Sequence, residues 1–268
     1  MIRSSMALVL LLAAVPAAAQ RHTPPTAEEL AAITAHGREL AAYDRAAWYA
    51  SDSVMAAPPI VSRINLYVAR RDGERWVVSF GRRNAATDTF FVAYQAVGGA
   101  GPMSYTVRTF DPPQAATRFE LVAARASALA KRDFGRLTRP YNFSALAEDS
   151  GRVWVYATPA QTQAGRCPLG GDVRYLISAD GTQLVAKRQL HRTLVEFGPD
   201  TPRPDGSQIA EDTHIAVLDV VPEDTDVFFT LQREPHVPHM VVTDEFMYQI
   251  APDGSITYLG VTREILKP

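Results

Sequence analysis

Residues 64–80 read INLYVARRDGERWVVSF. Ile64, Leu66 and Val68 recur at every second position, Asp72-Gly73 follows, and Trp76, Val78 and Phe80 recur at every second position on the way back. A period of two is that of a strand with one buried face. Asp-Gly supplies the positive φ that a tight hairpin turn needs and most residues resist. The stretch therefore predicts an antiparallel hairpin, and the meander continues beyond it. Phe90, Val92 and Tyr94 mark a third strand, Gly98-Gly99-Ala100-Gly101 breaks the chain, and residues 105–110 form a fourth.

A helix precedes this meander. Thr26 and Glu29 stand at the spacing of a capping box, in which each side chain satisfies a backbone N–H that the first helical turn leaves bare. Leu30, Ile33, Gly37, Leu40, Ala47 and Trp48 follow as one stripe, and the helix is expected to end near Ala50, before Pro58-Pro59. The order then recurs. Pro112-Pro113 is read as opening a second helix with the stripe Phe119, Val122, Ala126 and Leu129, closed by Lys131, Arg132 and Gly135. Strands are predicted at 153–158, 173–178 and 184–190, the last two joined at Asp180-Gly181. A β-only set follows at 215–220, 227–231, 240–243, 246–250 and 256–259, with a turn at Asp253-Gly254. The fold class is α+β: mainly antiparallel sheet with two main helices. Two helix-plus-sheet modules are expected at 20–110 and 111–191, with a C-terminal β-rich extension at 192–268. The layout is similar to that of small cystatin-like or PepSY-like units, although no motif residue ties the chain to either.

Residues 1–19 have the three parts of a secretory signal peptide. Arg3 is the positive start, residues 6–15 (MALVLLLAAV) are the apolar run, and Pro16-Ala17-Ala18-Ala19 offers small residues for cleavage after Ala19. No cysteine follows that point, so a lipid anchor is not expected. No later stretch approaches the roughly 18 apolar residues of a transmembrane helix. The single cysteine, Cys167, cannot form a disulfide within the chain. With 27 basic against 29 acidic residues, the near-neutral balance offers no general attraction to nucleic acid or anionic membrane. The Ala- and Arg-rich composition reads as bacterial, and the expected location is the periplasm or the medium outside.

Histidine is the main chemical signal. Four of the six histidines, His191, His214, His236 and His239, fall in the last third of the chain. Neutral imidazole binds zinc, copper or nickel, and three such ligands plus water make an open site. Glu211, Asp212 and Asp244 are nearby acids in sequence. The spacing is not the helical His-Glu-x-x-His, so the ordinary reading is hydrogen-bonded or surface histidines, with a metal site as the alternative. Cys167 beside Arg166, with His191 as base, is a second candidate; an inert loop thiol is the ordinary reading. Glu223-Asp224-Thr225-Asp226 echoes Glu211-Asp212-Thr213-His214; a solvated turn is the ordinary reading and calcium or sugar binding the alternative, although neither stretch has the Gly and downstream Glu of an EF-hand loop. Trp48, Tyr49, Trp76, Trp154 and Tyr156 are either core or a platform for carbohydrate or peptide.

Nucleophile-elbow, phosphate-loop and dinucleotide signatures are missing, and no catalytic residue or cofactor motif can be named. The sequence thus points to an exported, soluble binding or accessory protein of the bacterial envelope. Its partner would be an envelope protein or a small ligand. The alternative is a metal-binding protein or metal-dependent hydrolase using zinc or copper at the C-terminal histidines. A third possibility is strand addition to a partner chain at an exposed sheet edge.

Overall fold

The computed structural model describes residues 23–56, 64–101, 103–198 and 209–267. The expected leader at 1–19 and the Pro58-Pro59 helix stop lie outside the described residues. Within them the chain is α+β with mainly antiparallel sheet, as its alternating segments require.

Helix α1 (Ala27–Met55) starts on the expected capping box: Glu29 N–H donates to Thr26 Oγ1, and Thr26 N–H donates to Glu29 Oε2 at 2.7 Å. It runs five residues past the expected end. At 29 residues it is about 43 Å long, long enough to serve as a spine. Its apolar stripe meets three different partners in turn. Leu30 packs into the C-terminal unit, Leu40 onto Tyr156 and Leu190, and the stretch from Tyr43 to Val54 onto the first sheet. Trp48 departs from the stripe and is 60% exposed.

The first sheet is the meander β1 (Leu66–Asp72), β2 (Arg75–Asn84), β3 (Thr89–Gly98) and β4 (Tyr105–Ala115) in sequential order. Gly73, at φ 62°, makes the first turn. Trp76, Val78 and Phe80 face α1, whereas Leu66, Val68, Phe90 and Val92 face the other way. Pro112-Pro113 corrects the expected helix start, because both prolines lie in β4. Helix α2 (Arg118–Phe134) begins only at a second capping box, Thr117 with Glu120, and ends at Gly135. Glu120 is buried and also accepts from Ser79 Oγ at 2.6 Å, which ties the start of α2 to β2.

The second sheet pairs β5 (Tyr141–Ala147), β6 (Val153–Pro159), β8 (Val173–Ile177) and β9 (Leu184–Gln189), and α2 packs between it and the first sheet. A short ribbon joins β7 (Cys167–Gly170) to β10 (Leu194–Phe197). Strands β5, β7 and β10 carried no alternation strong enough to foresee. Cys167 sits in β7 rather than in a loop, and burial pushes its thiol up to about 12, which keeps it in the protonated form at neutral pH.

The C-terminal unit corrects two expectations. Residues 227–231 form no strand; they belong to helix α3 (Asp224–Gln232). The strand expected at 215–220 is β11 (Asp212–Ile215), lying earlier and parallel to β12 (His239–Val242). The antiparallel strands β13 (Phe246–Ile250) and β14 (Ile256–Val261) complete that sheet, followed by the single-turn α4 (Thr262–Ile265). No described helix is long and apolar enough to cross a membrane.

Candidate metal centre

Five segments bring charged groups to one buried spot. Asp172 precedes β8 and His191 follows β9. Val173 pairs with Gln189 across that hairpin and Leu190 N–H donates to Asp172 O, so the two residues are neighbours at its open end. On β11, Asp212 and His214 are two apart and therefore share a face. Asp212 lies in register with His239 at the start of β12. Asp226, fully buried in the first turn of α3, faces both groups. Its Oδ2 accepts from Glu223 N–H at 2.8 Å, which leaves Oδ1 pointing at the histidines.

The contacts form one chain. Asp172 accepts at His191 Nδ1 (2.8 Å), and His191 Nε2 meets Asp226 Oδ1 (2.9 Å). His214 Nε2 lies 3.6 Å from the same Asp226 oxygen. His214 Nδ1 is 2.8 Å from His239 Nε2, in rings only 13° from coplanar. His239 Nδ1 contacts Asp212, which Arg233 also grips.

Protons follow from this geometry. Burial, reinforced by the nearby Arg233 charge, holds His239 down to about 4, so it carries a single proton. That proton belongs on Nδ1, because a bare nitrogen against the Asp212 carboxylate would set lone pair against lone pair. His239 Nε2 is then the acceptor, and His214 donates to it from Nδ1. Burial also lowers the pKa of His214, so its only proton is now used and Nε2 is a bare lone pair. Among the described residues that buried nitrogen has no hydrogen-bond partner. A buried polar atom left in this way costs about 1–3 kcal/mol.

His191 has the opposite electrostatics. Burial opposes its charge, but Asp226 and Asp172 outweigh burial and push it up to about 11. Burial likewise works against the Asp226 charge, and His191 and His214 overcome it, holding that carboxyl well below the usual range. A histidine raised above its unfolded value of about 6.5 adds stability that is complete below that pH and is lost as pH rises through about 11. In excess chelator, the denaturant midpoint should fall from pH 7 to pH 10 more steeply than that of His191→Gln. Equal slopes in the two proteins would contradict this assignment.

His191 Nε2, His214 Nε2 and Asp226 Oδ1 are thus three donor atoms around one point, and these three residues can offer ligand atoms all within 4.8 Å of one another. Asp172, and His239 backed by Asp212, stand behind the two imidazoles as the outer partners that orient metal-bound histidines. Of the residues singled out in the sequence, His191, His214 and His239 come together with Asp212. His236 is exposed and outside this set. Asp172 and Asp226 were not singled out as ligands. The reading of 223–226 as a solvated turn is corrected: all four residues are buried at the start of α3. Asp224 accepts from Tyr156 Oη (2.6 Å) and Arg174, and Glu223 pairs with Arg188. Trp154 lies under the Arg174 guanidinium and Tyr156 is buried, so neither belongs to an open platform. Compared with family models, curated proteins and solved structures, the chain matches none.

Proposed function

We propose that this chain is an exported metal-binding protein that holds one divalent transition-metal ion at His191, His214 and Asp226. The observation that carries the reading is the buried, unpartnered His214 Nε2, facing a carboxylate oxygen that already meets a second imidazole. A proton on His191 satisfies one side of this triangle but leaves His214 bare. A cation bound by all three satisfies both. Two imidazoles and one carboxylate suit zinc, copper or nickel better than calcium or magnesium, which prefer oxygen.

Binding is favoured over hydrolysis because the surrounding acids are already engaged. Asp172 is held by His191, Asp212 by His239 and Arg233, Asp224 by Tyr156 and Arg174, and Glu223 by Arg188. Location outside the cytoplasm rests on the signal-peptide pattern of residues 1–19. The test is metal analysis of untagged protein purified without chelators, followed by zinc titration of the stripped form. One ion per chain is expected, lost on chelation and regained on titration. Metal-free protein that takes up no zinc would overturn the reading and leave a binding or accessory role without a metal.

A further inference from the structure

A cleft of about 920 Å³ opens between α1, the end of β6, β7 and α3. Its volume is at the upper end of small-ligand sites. On one wall Trp48 presents an exposed indole, stacked on Tyr49 at 5.5 Å between ring centroids and 18° between planes. The stack stiffens a side chain that would otherwise be free on the helix surface. Also lining the cleft is a fan of planar polar groups. Asn142 Nδ2 donates to Asp44 Oδ1 at 3.3 Å, and Gln232 Nε2 donates to Asp44 Oδ2 at 2.7 Å. Among the described residues no cation lies within ion-pair distance of Asp44. Burial raises its pKa, a sign that water solvates it poorly.

We propose that this cleft binds a neutral saccharide. The apolar face of a sugar ring lies on Trp48, and its hydroxyls meet the Asp44–Asn142–Gln232 fan. A hydroxyl both donates and accepts. The fan answers both needs: each carboxylate oxygen has a lone pair left, and each amide retains a carbonyl and a second N–H. An anionic ligand is disfavoured, because Asp44 and Glu234 line the cleft against Arg45 as the one Arg or Lys among its lining residues, the charge of Asp172 being met by His191. The volume leaves room for more than one ring, which points to an oligosaccharide. Asp172 borders both this cleft and the metal centre, but the saccharide reading does not depend on the metal reading.

The test is calorimetric titration of the full-length processed protein with maltotriose, cellotriose and triacetylchitotriose, and separately with choline as a cationic probe. Saturable binding of at least one trisaccharide is expected, weakened at least about tenfold in both Trp48→Ala and Asp44→Asn. Trp48→Ala should keep the parent's melting temperature, since Trp48 is largely exposed. Asp44→Asn turns one acceptor into a donor facing Asn142 or Gln232, so its melting temperature is measured alongside its affinity. No saturation by any trisaccharide up to about 10 mM would overturn the proposal. So would unchanged affinity in Trp48→Ala, or choline binding that disappears in Asp44→Asn while the sugars fail to bind.

Discussion

Replacing His214 by alanine should lower zinc affinity by about a hundredfold or more, whereas His236→Ala should leave it unchanged. His214 supplies one of three donor atoms, and the loss of an outer partner alone typically costs 10–100-fold in metal affinity. With its Nδ1–H committed to His239, only its Nε2 is left to bind. His236 has the same chemistry and lies only three residues from His239, but it is exposed and outside the converging set. The two variants therefore separate a built centre from mere histidine content. The His214 variant also leaves His239 Nε2 without its donor, so its stability in chelator is to be measured alongside. Equal zinc affinity in parent and His214→Ala, or loss of affinity in His236→Ala, would contradict the assignment.

Gly37→Ala should cost about 3 kcal/mol and lower the melting temperature by roughly 10 °C. Gly37 is where α1 and α3 touch. A Cβ there would lie 2.4 Å from Val227 Cβ and 2.6 Å from the Asp224 carbonyl oxygen. Neither is the flexible end of a side chain, so the helices must move apart. Val227 is fully buried, and Asp226 beside it contacts His191. The added methyl should therefore weaken zinc binding as well as the fold. His36→Ala, one position away on an exposed part of the same helix, provides the comparison and should be nearly neutral. Matching melting temperatures for Gly37→Ala and the parent would show that the close helix contact does not restrain α3.

Much of the fold was legible because its signals are local. The Thr26–Glu29 capping box acts within one helical turn. The Asp-Gly pairs at 72–73, 180–181 and 253–254 act within two residues, and each of these glycines takes positive φ. The strands with clear alternation, such as β2 and β3, lie where that alternation put them. Helix α3 was not legible. Val227, Phe228, Phe229 and Thr230 are good strand formers, and their helix is sustained by distant contacts: Gly37 beneath Val227, and Tyr156 and Arg174 on Asp224. Its start also lacks the Ser or Thr that marked α1 and α2. Pro112-Pro113 misled for a related reason, because proline suits both a first helical turn and an edge strand such as β4, which among the described strands pairs with β3 alone.

The centre was half legible for the same reason. A cluster of histidines stands out in composition, but Asp172 and Asp226 join it only through the β8–β9 hairpin and the start of α3. Sequence spacing gave no reason to separate His236 from His239. The register of β12 on β11 does so, aligning His239 with Asp212. The echo of 211–214 in 223–226 has no structural counterpart, since the first stretch enters strand β11 and the second opens helix α3. Asp212 anchors the hydrogen-bonded His239–His214 pair, and Asp226 faces the open end of that pair at 3.6 Å.

The most direct test is an anomalous-difference map at the zinc edge from crystals of the untagged protein grown with zinc. The expected result is one strong peak within about 2.0–2.2 Å of His191 Nε2, His214 Nε2 and an Asp226 carboxylate oxygen. A map with no peak there, the His191–Asp226 contact still closed and any zinc lying instead at His236 or elsewhere on the surface, would contradict the metal centre.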